Sequence, residues 1–497
     1  MRRTVFIILL LSISFVATAQ PQDTLLYRLP AYEDSIQHTV EKLKKKPLVA
    51  AAEVFGLNMM IWGVDYSGGQ DFAKINWSTM RNNLRTGFLW DNDNMSTNLF
   101  LHPYSGNLAF TSARANGMNF WQSMLFSGGG SLMWECFMEN QPPSTNDFLA
   151  TTFGGAMVGE MLYHISNSIY DNSRRGASRV LTELAGFVFT PMVEFNRLIS
   201  GEAFRVTHHP SNELPQLPPL HLAINWGGYF ISERSHLFQG TYGLAFGIKA
   251  DYGDPFDESN FKPYDWFSFN LELNVGGDQP VLNTANANAL LWGKHIDLPK
   301  NQDVVIGVYQ NFNYYDSDPI AVSGSQIKPY EVAETVSFGP GLLYKLNTEN
   351  KQLHFVVKSI TGLVLLGASY TDHLKLPDRQ YNMGQGISVN LNAGMTADNI
   401  GSLNINLYNL NLYTWKGYPL GVDYMHRTEE ENNYLNTEGD KGHTNLIIIT
   451  PTASLQLTKA LSLIVQQRRF IRLSHYAYYP NITYATFDSR VTLQFKF

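Results

Sequence analysis

Two pairs of acidic and imidazole residues have the types and spacing that acid–base chemistry requires. Glu160 and His164 are four residues apart, so a helix would place both side chains on one face. His102 and Asp147 supply a second imidazole and a second carboxylate. A carboxylate that orients an imidazole can activate a serine hydroxyl, as in acyl hydrolases and acyl transferases. The candidate catalytic residues are therefore Glu160, His164, His102 and Asp147.

The sequence gives little support for a nucleophile or a metal ion at such a site. Ser105 and Ser144 are the candidate nucleophiles, but neither lies in a Gly-x-Ser-x-Gly elbow. Ser144 also begins a Ser-x-x-Asp capping box, which gives it a role as a helix cap. A metal could bind Glu160 and His164, but di-iron helix bundles use a spacing of three rather than four. We therefore expect no metal and no cofactor.

An alternative to catalysis is a buried network of ion pairs. Glu135 and Glu139 are four residues apart, as Glu160 and His164 are, and all of them have apolar neighbours. Arg114 could pair with Glu135 or with Glu160 and so hold two helices together where water is scarce. We favour this interpretation, in which the buried polar network comprises Arg114, Glu135, Glu139 and Glu160.

The first part of the chain after residue 43 has a helical pattern, with apolar residues three and four apart. The small residues Gly155 and Gly159 have the spacing that lets two helices approach closely. Glycine, methionine, tryptophan and phenylalanine are abundant there and lysine is scarce, which indicates buried helices. Helices are predicted at residues 47–60, 72–84, 109–126, 130–140, 144–170 and 175–201, the last with a bend at Pro191.

After a proline-rich connection at residues 209–219, the period of the apolar pattern changes to two. In residues 266–275, apolar and polar side chains alternate, which predicts a strand with one face of each kind. About twelve such segments of about ten residues follow one another, a length that crosses a bilayer at a tilt. The polar face would point inward. In residues 403–412 the alternation slips by one position, which predicts a bulge.

The last strand resembles the closing strand of outer-membrane barrels, which the insertion machinery recognises. Its apolar positions end on an aromatic residue and alternate with polar ones. The alternative is a soluble β-sandwich whose last strand happens to end in phenylalanine, and we favour the membrane barrel. The predicted assembly signal comprises Val491, Leu493, Phe495 and Phe497.

The first residues have the features of a secretory signal peptide. Arg2 and Arg3 precede a mainly apolar stretch at residues 5–16, and small residues follow at Ala17 and Ala19. Cleavage is expected after Ala19. The predicted domains are a signal peptide at 1–19, a linker at 20–46, a helical domain at 47–208 and a barrel at 220–497.

Composition excludes several classes of protein. The 497 residues are 44% hydrophobic, 13% aromatic and only 16% charged, which excludes disorder and is unusual for a cytosolic enzyme. A formal net charge of −7 provides no basic surface for phosphate backbones, so nucleic acid is not expected as a partner. The single cysteine, Cys136, rules out an internal disulfide and a cysteine-rich zinc site.

Several short motifs in the helical part resemble an uncharacterised bacterial family built around a domain of unknown function. The resemblance covers about residues 48–205 and implies a glycine-rich helical segment followed by an outer-membrane barrel. It implies no activity. The matching motifs are His102-Pro103-Tyr104-Ser105-Gly106, Ala113-Arg114, Trp134-Glu135, Ser144-Thr145-Asn146-Asp147 and Gly159-Glu160.

These observations predict an α+β protein in which an N-terminal helical domain plugs or caps an antiparallel transmembrane β-barrel of about twelve strands. The expected location is the outer membrane. The expected partners are outer-membrane lipid, the barrel-insertion machinery and a small-molecule or lipid ligand. The expected role is binding, transport or envelope structure rather than catalysis. The alternative is a lipid-modifying outer-membrane enzyme, an acyl hydrolase or transferase with its site in the helical domain.

Overall fold

The computed structural model describes most of the chain after residue 44. The predicted signal peptide with Ala17 and Ala19, nearly all of the predicted linker and most of the proline-rich connection lie outside the described residues. The described residues are 45–206, 218–233, 236–256, 261–299, 301–322, 325–348, 352–376, 379–428, 431–432 and 434–497.

Between residues 47 and 204 the chain forms helices joined by turns and loops. Two of them continue from short π-helical turns without a break, at Thr97–Leu101 and at Ala150–Gly154. A 3-10 turn, Glu202–Phe204, ends this part of the chain. The helices are α1 (Pro47–Ser67), α2 (Trp77–Thr86), α3 (His102–Ala115), α4 (Phe120–Phe137), α5 (Thr145–Leu149), α6 (Gly155–Ile169), α7 (Gly176–Phe189) and α8 (Pro191–Ser200).

Some predicted helix boundaries were wrong. The predicted helix at 109–126 is interrupted because Gly117 takes a positive φ of 82° and Asn119 caps a new helix, α4. The segment predicted at 130–140 is the second half of α4. Pro191 does not bend a continuous helix but begins α8, which suits a residue without a backbone N–H.

Fourteen strands follow in the part of the chain that the structure describes, and twelve of them close into an antiparallel barrel. The other two, β6 and β7, form a hairpin between β5 and β8. The predicted fold, a helical part followed by an antiparallel barrel of about twelve strands, is confirmed. The strands are β1 (Leu220–Glu233), β2 (His236–Tyr252), β3 (Phe267–Val275), β4 (Leu282–Leu298), β5 (Gln302–Asp316), β6 (Ile320–Val322), β7 (Ser325–Ile327), β8 (Glu331–Asn347), β9 (Leu353–Tyr370), β10 (Tyr381–Ala397), β11 (Gly401–Thr414), β12 (Gly442–Gln456), β13 (Leu461–Tyr476) and β14 (Ile482–Lys496).

The barrel has two distinguishable ends. At the turn end, β1 begins and β14 ends, and β1 pairs with β14 to close the barrel. At the loop end lie the connections 317–330, 371–380 and 415–441. The pairing register places apolar side chains such as Leu271 on the outward face, and polar ones such as Glu272 in the lumen.

The bulge predicted in residues 403–412 is wrong, because β11 pairs with β10 and β12 without a register shift. Leu403 and Leu407 point outward, whereas Tyr408 and Leu410 point into the lumen and are buried there. The apparent slip in the pattern has a different cause. The lumen is itself apolar toward the loop end, so apolar residues change faces while the strand stays regular.

The helical domain packs against the outward face of the barrel. Ala287 and Ala289 of β4 point outward, yet they are only 2% and 0% exposed because Phe110, Phe120 and Met157 cover them. Small wall residues leave room for helices, whereas the lumen is occupied by side chains of the barrel itself. The predicted helical plug or cap is therefore corrected to a domain on the outer wall.

The bundle crosses the wall from one end of the barrel to the other. Near its loop end, Asn98 donates a hydrogen bond to the Tyr381 hydroxyl at the start of β10 (2.9 Å). Near its turn end, the rings of Phe120 and Tyr264 lie 5.3 Å apart, and Tyr264 is in the connection between β2 and β3. The helices therefore extend diagonally across the strands from β2 and β3 to β9 and β10.

Candidate functional site

Titratable side chains converge where α3, α4 and α5 meet the loop end of the barrel. The chain positions them through the loop before the first π-helical turn, the first residue of α3, the end of α4 and the first turn of α5. We call this group the His102 cluster, and it comprises Asp91, Asp93, His102, Glu135, Glu139 and Asp147.

His102 lies between two carboxylates. Its Nε2 is 3.1 Å from Asp147 Oδ1 and 3.5 Å from Asp93 Oδ2. One ligand atom from each of these three residues lies within 4.8 Å of the others. Imidazole nitrogen and carboxylate oxygen are common ligands of divalent metals, so these three residues could hold a cation. The predicted absence of a metal stays a prediction.

The remaining carboxylates of the cluster crowd against each other. Glu135 is 2% exposed, and its Oε2 accepts a hydrogen bond from the Ser144 N–H (2.7 Å). The carboxyl of Glu139 lies beside that of Glu135, and the Asn146 amide donates to Asp91 Oδ1 (2.6 Å) and to Asp147 Oδ1 (2.9 Å), so these two carboxylates also lie side by side. Two carboxylates in contact repel each other unless a proton or another cation lies between them. The His102 cluster therefore favours binding of positive charge.

The barrel supplies groups that sequence reasoning missed. Arg379, which is 1% exposed, donates from Nη1 to the Asp91 carbonyl (2.8 Å). The Tyr381 hydroxyl donates to the Asp93 carbonyl (2.7 Å). The alternating run Asp-Asn-Asp-Asn at 91–94 could have indicated a polar site. Nothing in the sequence indicates Arg379, because only closure of the barrel brings it to the helices.

A second group, the Glu160 cluster, comprises Arg114, Glu160 and His164 and lies between α3 and α6. Arg114 Nε is 2.8 Å from Glu160 Oε2, and Arg114 Nη2 donates to Glu160 Oε1 at 3.0 Å. His164 Nε2 is 3.2 Å from the same Oε1. Glu160 thus has two partners at once, which is the arrangement of an ion-pair network.

Aromatic rings enclose the Glu160 cluster. The Arg114 guanidinium lies 4.5 Å from the centre of the Tyr163 ring, and the rings of His164 and Tyr252 are 4.7 Å apart. In the connection between β2 and β3, burial raises the pKa of the Asp265 carboxyl above its usual value. The low polarity that these rings create strengthens the ion pair, because little water competes for either charge.

The structure separates residues that were predicted to form one network. Arg114 is in the last turn of α3 and Glu135 is in the last turn of α4, and these consecutive helices run antiparallel. The rise of α4 from Phe120 to Glu135 is about 22 Å, so Glu135 and Glu139 join the His102 cluster instead. Ser144 does not act on His102 either. Its hydroxyl accepts a hydrogen bond from the Asp147 N–H (3.2 Å) and caps α5.

Side chains fill the lumen toward the loop end. The rings of Tyr330 and Phe470 stack with centres 3.8 Å apart, and Phe470 also packs edge-on against Tyr315. They belong to one buried apolar cluster inside the barrel. This cluster comprises Tyr315, Tyr330, Val332, Val364, Tyr408, Leu410, Leu412, Leu446, Ile448 and Phe470.

Ion pairs also lie in the lumen. Arg468 of β13 bonds to Glu272 of β3, and Arg490 Nη1 lies 3.1 Å from the same carboxylate. Arg490 Nη2 also donates to Asp488 at 2.9 Å. Next to these groups lies a polar cavity of about 210 Å³, lined mainly by asparagine and threonine. The lumen therefore has a cavity but is blocked by packed side chains.

The predicted assembly residues lie on the closing strand, β14. Val491 and Phe495 point outward and are exposed, and Leu493 faces the same way. The rings of Phe495 and Phe497 are 5.0 Å apart, and the Phe497 N–H donates to the Leu222 carbonyl of β1 (2.9 Å). This strand is thus where the barrel closes.

Solved structures of an outer membrane channel, a toluene transporter and the transport unit of an autotransporter resemble the chain weakly. TM-scores near 0.2 carry no information on what this chain binds or moves. Examples are the outer membrane channel DcaP of Acinetobacter baumannii (8% identity, 56% of this chain and 97% of that chain, TM-score 0.21), the toluene transporter TodX of P. putida (8%, 57% and 89%, 0.20) and the transport unit of the autotransporter AIDA-I from Escherichia coli (10%, 61% and 97%, 0.20).

No curated protein matches the chain in sequence. A family model does match, over a segment that runs from the loop before the first π-helical turn to the start of α8 and contains both the His102 cluster and the Glu160 cluster. Residues 87–192 match the family described as a domain of unknown function (DUF3943), and the closed twelve-stranded antiparallel β-barrel follows this segment in the chain.

Proposed function

We propose that the chain is an integral protein of the bacterial outer membrane and that it acts by binding a ligand rather than by conducting solutes. The barrel supports the location, because large apolar side chains such as Leu363, Ile387 and Leu403 are exposed on its outward face. A barrel in water would be expected to present polar side chains there, whereas lipid suits an apolar band. Export would depend on the predicted signal peptide, and assembly on recognition of β14 by the insertion machinery.

One observation carries the binding role. Packed aromatic rings and ion pairs block the barrel interior, whereas the crowded titratable groups lie outside the lumen, where the helical domain meets the wall. A conducting channel needs a continuous polar path, and the stack of Tyr330 on Phe470 interrupts it. The barrel then serves as a scaffold for the helical domain.

The chemistry of the His102 cluster favours a cationic ligand. Five carboxyl groups and one imidazole meet there. The nearby cation, Arg379, donates from Nη1 to the backbone carbonyl of Asp91. A divalent metal ion and the ammonium group of a lipid or a small molecule share this chemistry. Both are attracted by partly buried carboxylates.

Recording from planar bilayers tests the closed lumen. Purified protein, checked for folding by heat-modifiable migration, should give no steady ion conductance. A reproducible steady conductance of the unaltered protein would contradict the proposal, since packed side chains leave no path for ions.

Titration calorimetry tests the ligand class, with Zn²⁺ and ethanolamine as separate probes. One of the two should bind the unaltered protein, and which one does so distinguishes a metal site from an amine site. His102→Ala should abolish that binding, and His164→Ala is the matched control because it removes an imidazole from the Glu160 cluster. Equal binding by both variants, or no binding of either probe by the unaltered protein, would contradict a cation site at His102.

The lipid-modifying alternative gains no support from a specific contact. The Ser144 hydroxyl is engaged as a helix cap, and Glu160 is engaged by both Arg114 and His164. An acid–base residue held by two partners is a poor proton carrier, so the Glu160 cluster favours a structural role.

A further inference from the structure

We propose that the helical domain lies within the lipid bilayer beside the barrel, with acyl chains covering its outer surface. This inference rests on the proposed outer-membrane location and adds a second kind of membrane-embedded structure to it. Helices and closed barrels are the two folds that satisfy their backbone hydrogen bonds in lipid. Here the helices would lie against the barrel.

Much of the exposed surface of the helical domain is apolar. Leu125 in the first half of α4 is 73% exposed, and Val64 in α1 is 67% exposed. In water, a continuous apolar surface of this kind would drive association. Large exposed apolar side chains on the helices include Phe55, Met60, Val64, Leu101, Leu125, Leu132, Val180, Leu184, Phe187, Phe195 and Ile199.

Polar side chains occupy the interior of the bundle instead. Asn107, Thr111, Ser123 and Ser127 are completely buried between the helices. The Ser127 hydroxyl bonds to the carbonyls of Gly106 (3.1 Å) and of a residue in the second π-helical turn (2.9 Å). Small polar residues at helix contacts, with apolar residues outside, are typical of helices packed in a membrane.

The charges of α4, α7 and α8 point inward, whereas Arg81 and Arg85 of α2 are exposed. Glu135 is the single charged residue of α4, and it is buried. In α7 and α8, Glu183 lies 2.6 Å from Arg179 and 2.9 Å from Arg197, so these charges neutralise one another. Lipid would tolerate this arrangement, because a charge exposed to acyl chains costs several kcal/mol and a paired one inside a bundle costs less.

Some of the helical stretches have lengths that suit a bilayer. Among the described helices, α1 is long and apolar enough to cross a membrane, with a mean hydropathy of 1.5, and only 22% of that stretch is buried. A core helix of a soluble protein would be mostly buried. The continuous stretch from the first π-helical turn through α3, residues 97–115, and helix α4 are each about 27 Å long, close to the thickness of the hydrocarbon core.

The adjoining barrel wall indicates that lipid covers the apolar surface of the helices. The bundle is seated on the same outward face whose uncovered part exposes Leu363 and Ile387. If lipid covers that uncovered part of the wall, lipid also reaches the adjoining helices. The surface proposed to contact lipid is therefore one continuous band formed by helices and strands.

Fluorescence quenching by spin-labelled lipid tests the proposal. Cys136→Ser removes the native thiol, and single cysteines are then introduced by Leu125→Cys on α4, Leu363→Cys on β9 and Lys459→Cys in the turn between β12 and β13. Each is labelled with an environment-sensitive fluorophore and reconstituted in phosphatidylcholine vesicles, with or without doxyl-labelled lipid. Heat-modifiable migration checks that each variant is folded.

The expected result is that Leu125→Cys and Leu363→Cys are quenched several times more strongly than the turn variant, Lys459→Cys. Strong quenching at Leu363→Cys with weak quenching at Leu125→Cys would overturn the placement of the helices in lipid and leave the membrane barrel intact. Weak quenching at both positions would overturn the proposed membrane location as well.

Discussion

Arg114 of α3 and Glu160 of α6 face each other through two short contacts, 2.8 Å from Nε to Oε2 and 3.0 Å from Nη2 to Oε1. Glu160 is almost completely buried, and aromatic rings surround the pair. This ion pair joins two helices whose backbones also lie close together at Gly106 and Gly155. The helical domain therefore depends on one polar and one steric contact between the same two helices.

The first prediction concerns the ion pair. Arg114→Ala should leave Glu160 without its main cationic partner and lower the free energy of unfolding of the helical domain by about 3–5 kcal/mol. Limited proteolysis of folded barrels would measure this loss. The control is Arg205→Ala, because Arg205 pairs with Glu202 on the surface and such pairs contribute about 0–1 kcal/mol. Equal protease sensitivity of the two variants would show that the buried pair stabilises the helical domain no more than the surface pair does.

The second prediction concerns the helix contact. A Cβ on Gly155 would lie 2.6 Å from the backbone of Gly106, so Gly155→Ala should separate α3 from α6 and cost about 1–3 kcal/mol. A Cβ on Gly129 of α4 would meet no atom within 4 Å. Gly129→Ala should therefore be neutral or stabilising by about 1 kcal/mol, since alanine is the better helix former. If both variants unfold alike in denaturant titrations, the close approach is not required.

The third prediction concerns assembly. Deleting Phe497 removes an aromatic ring next to Phe495 and the hydrogen bond to the Leu222 carbonyl at the closing seam. Burying one aromatic side chain contributes only about 1.5–3 kcal/mol, so a stability effect alone would leave many barrels assembled. We expect instead that the protein is exported but accumulates unassembled in the periplasm, as measured by fractionation. Near-normal outer-membrane levels would refute a role for Phe497 in assembly.

The fourth prediction concerns the blocked lumen. Tyr330→Ala combined with Phe470→Ala removes the stacked rings from the barrel interior and should produce measurable conductance in planar bilayers. Trp226→Ala is the control, because Trp226 is a large aromatic residue on the outward face of β1. A double variant that conducts no better than the control would show that another group closes the barrel.

Alternation made the barrel predictable, but not the place of the helices. Residues 266–275 alternate so regularly that pleat geometry alone assigns their faces. In contrast, Ala287 and Ala289 look the same in sequence whether lipid or a helix covers them. The partly apolar lumen also caused the wrong prediction of a bulge, since Tyr408 and Leu410 are apolar residues of the inner face.

The two clusters were predictable to different degrees. The partners Glu160 and His164 are four residues apart, so local helix geometry brings them together. The contact of Arg379 with the Asp91 carbonyl joins positions that are 288 residues apart in the chain. A contact of that kind depends on the register of the barrel and on which wall the helices cover. The local part of each site was therefore predictable and the long-range part was not.

Cross-linking between α3 and the barrel wall tests the placement of the helical domain most directly. The ring of Phe100, at the π-helical turn before α3, lies 5.4 Å from that of Tyr314, which faces outward, whereas Asn313 next to it faces the lumen. In a Cys136→Ser background, the pair Phe100→Cys and Tyr314→Cys should form a cross-link with a short bifunctional reagent. The pair Phe100→Cys and Asn313→Cys should not. Efficient cross-linking of the Asn313→Cys pair without the Tyr314→Cys pair would place the helices in the lumen and contradict the proposed binding site on the outer wall.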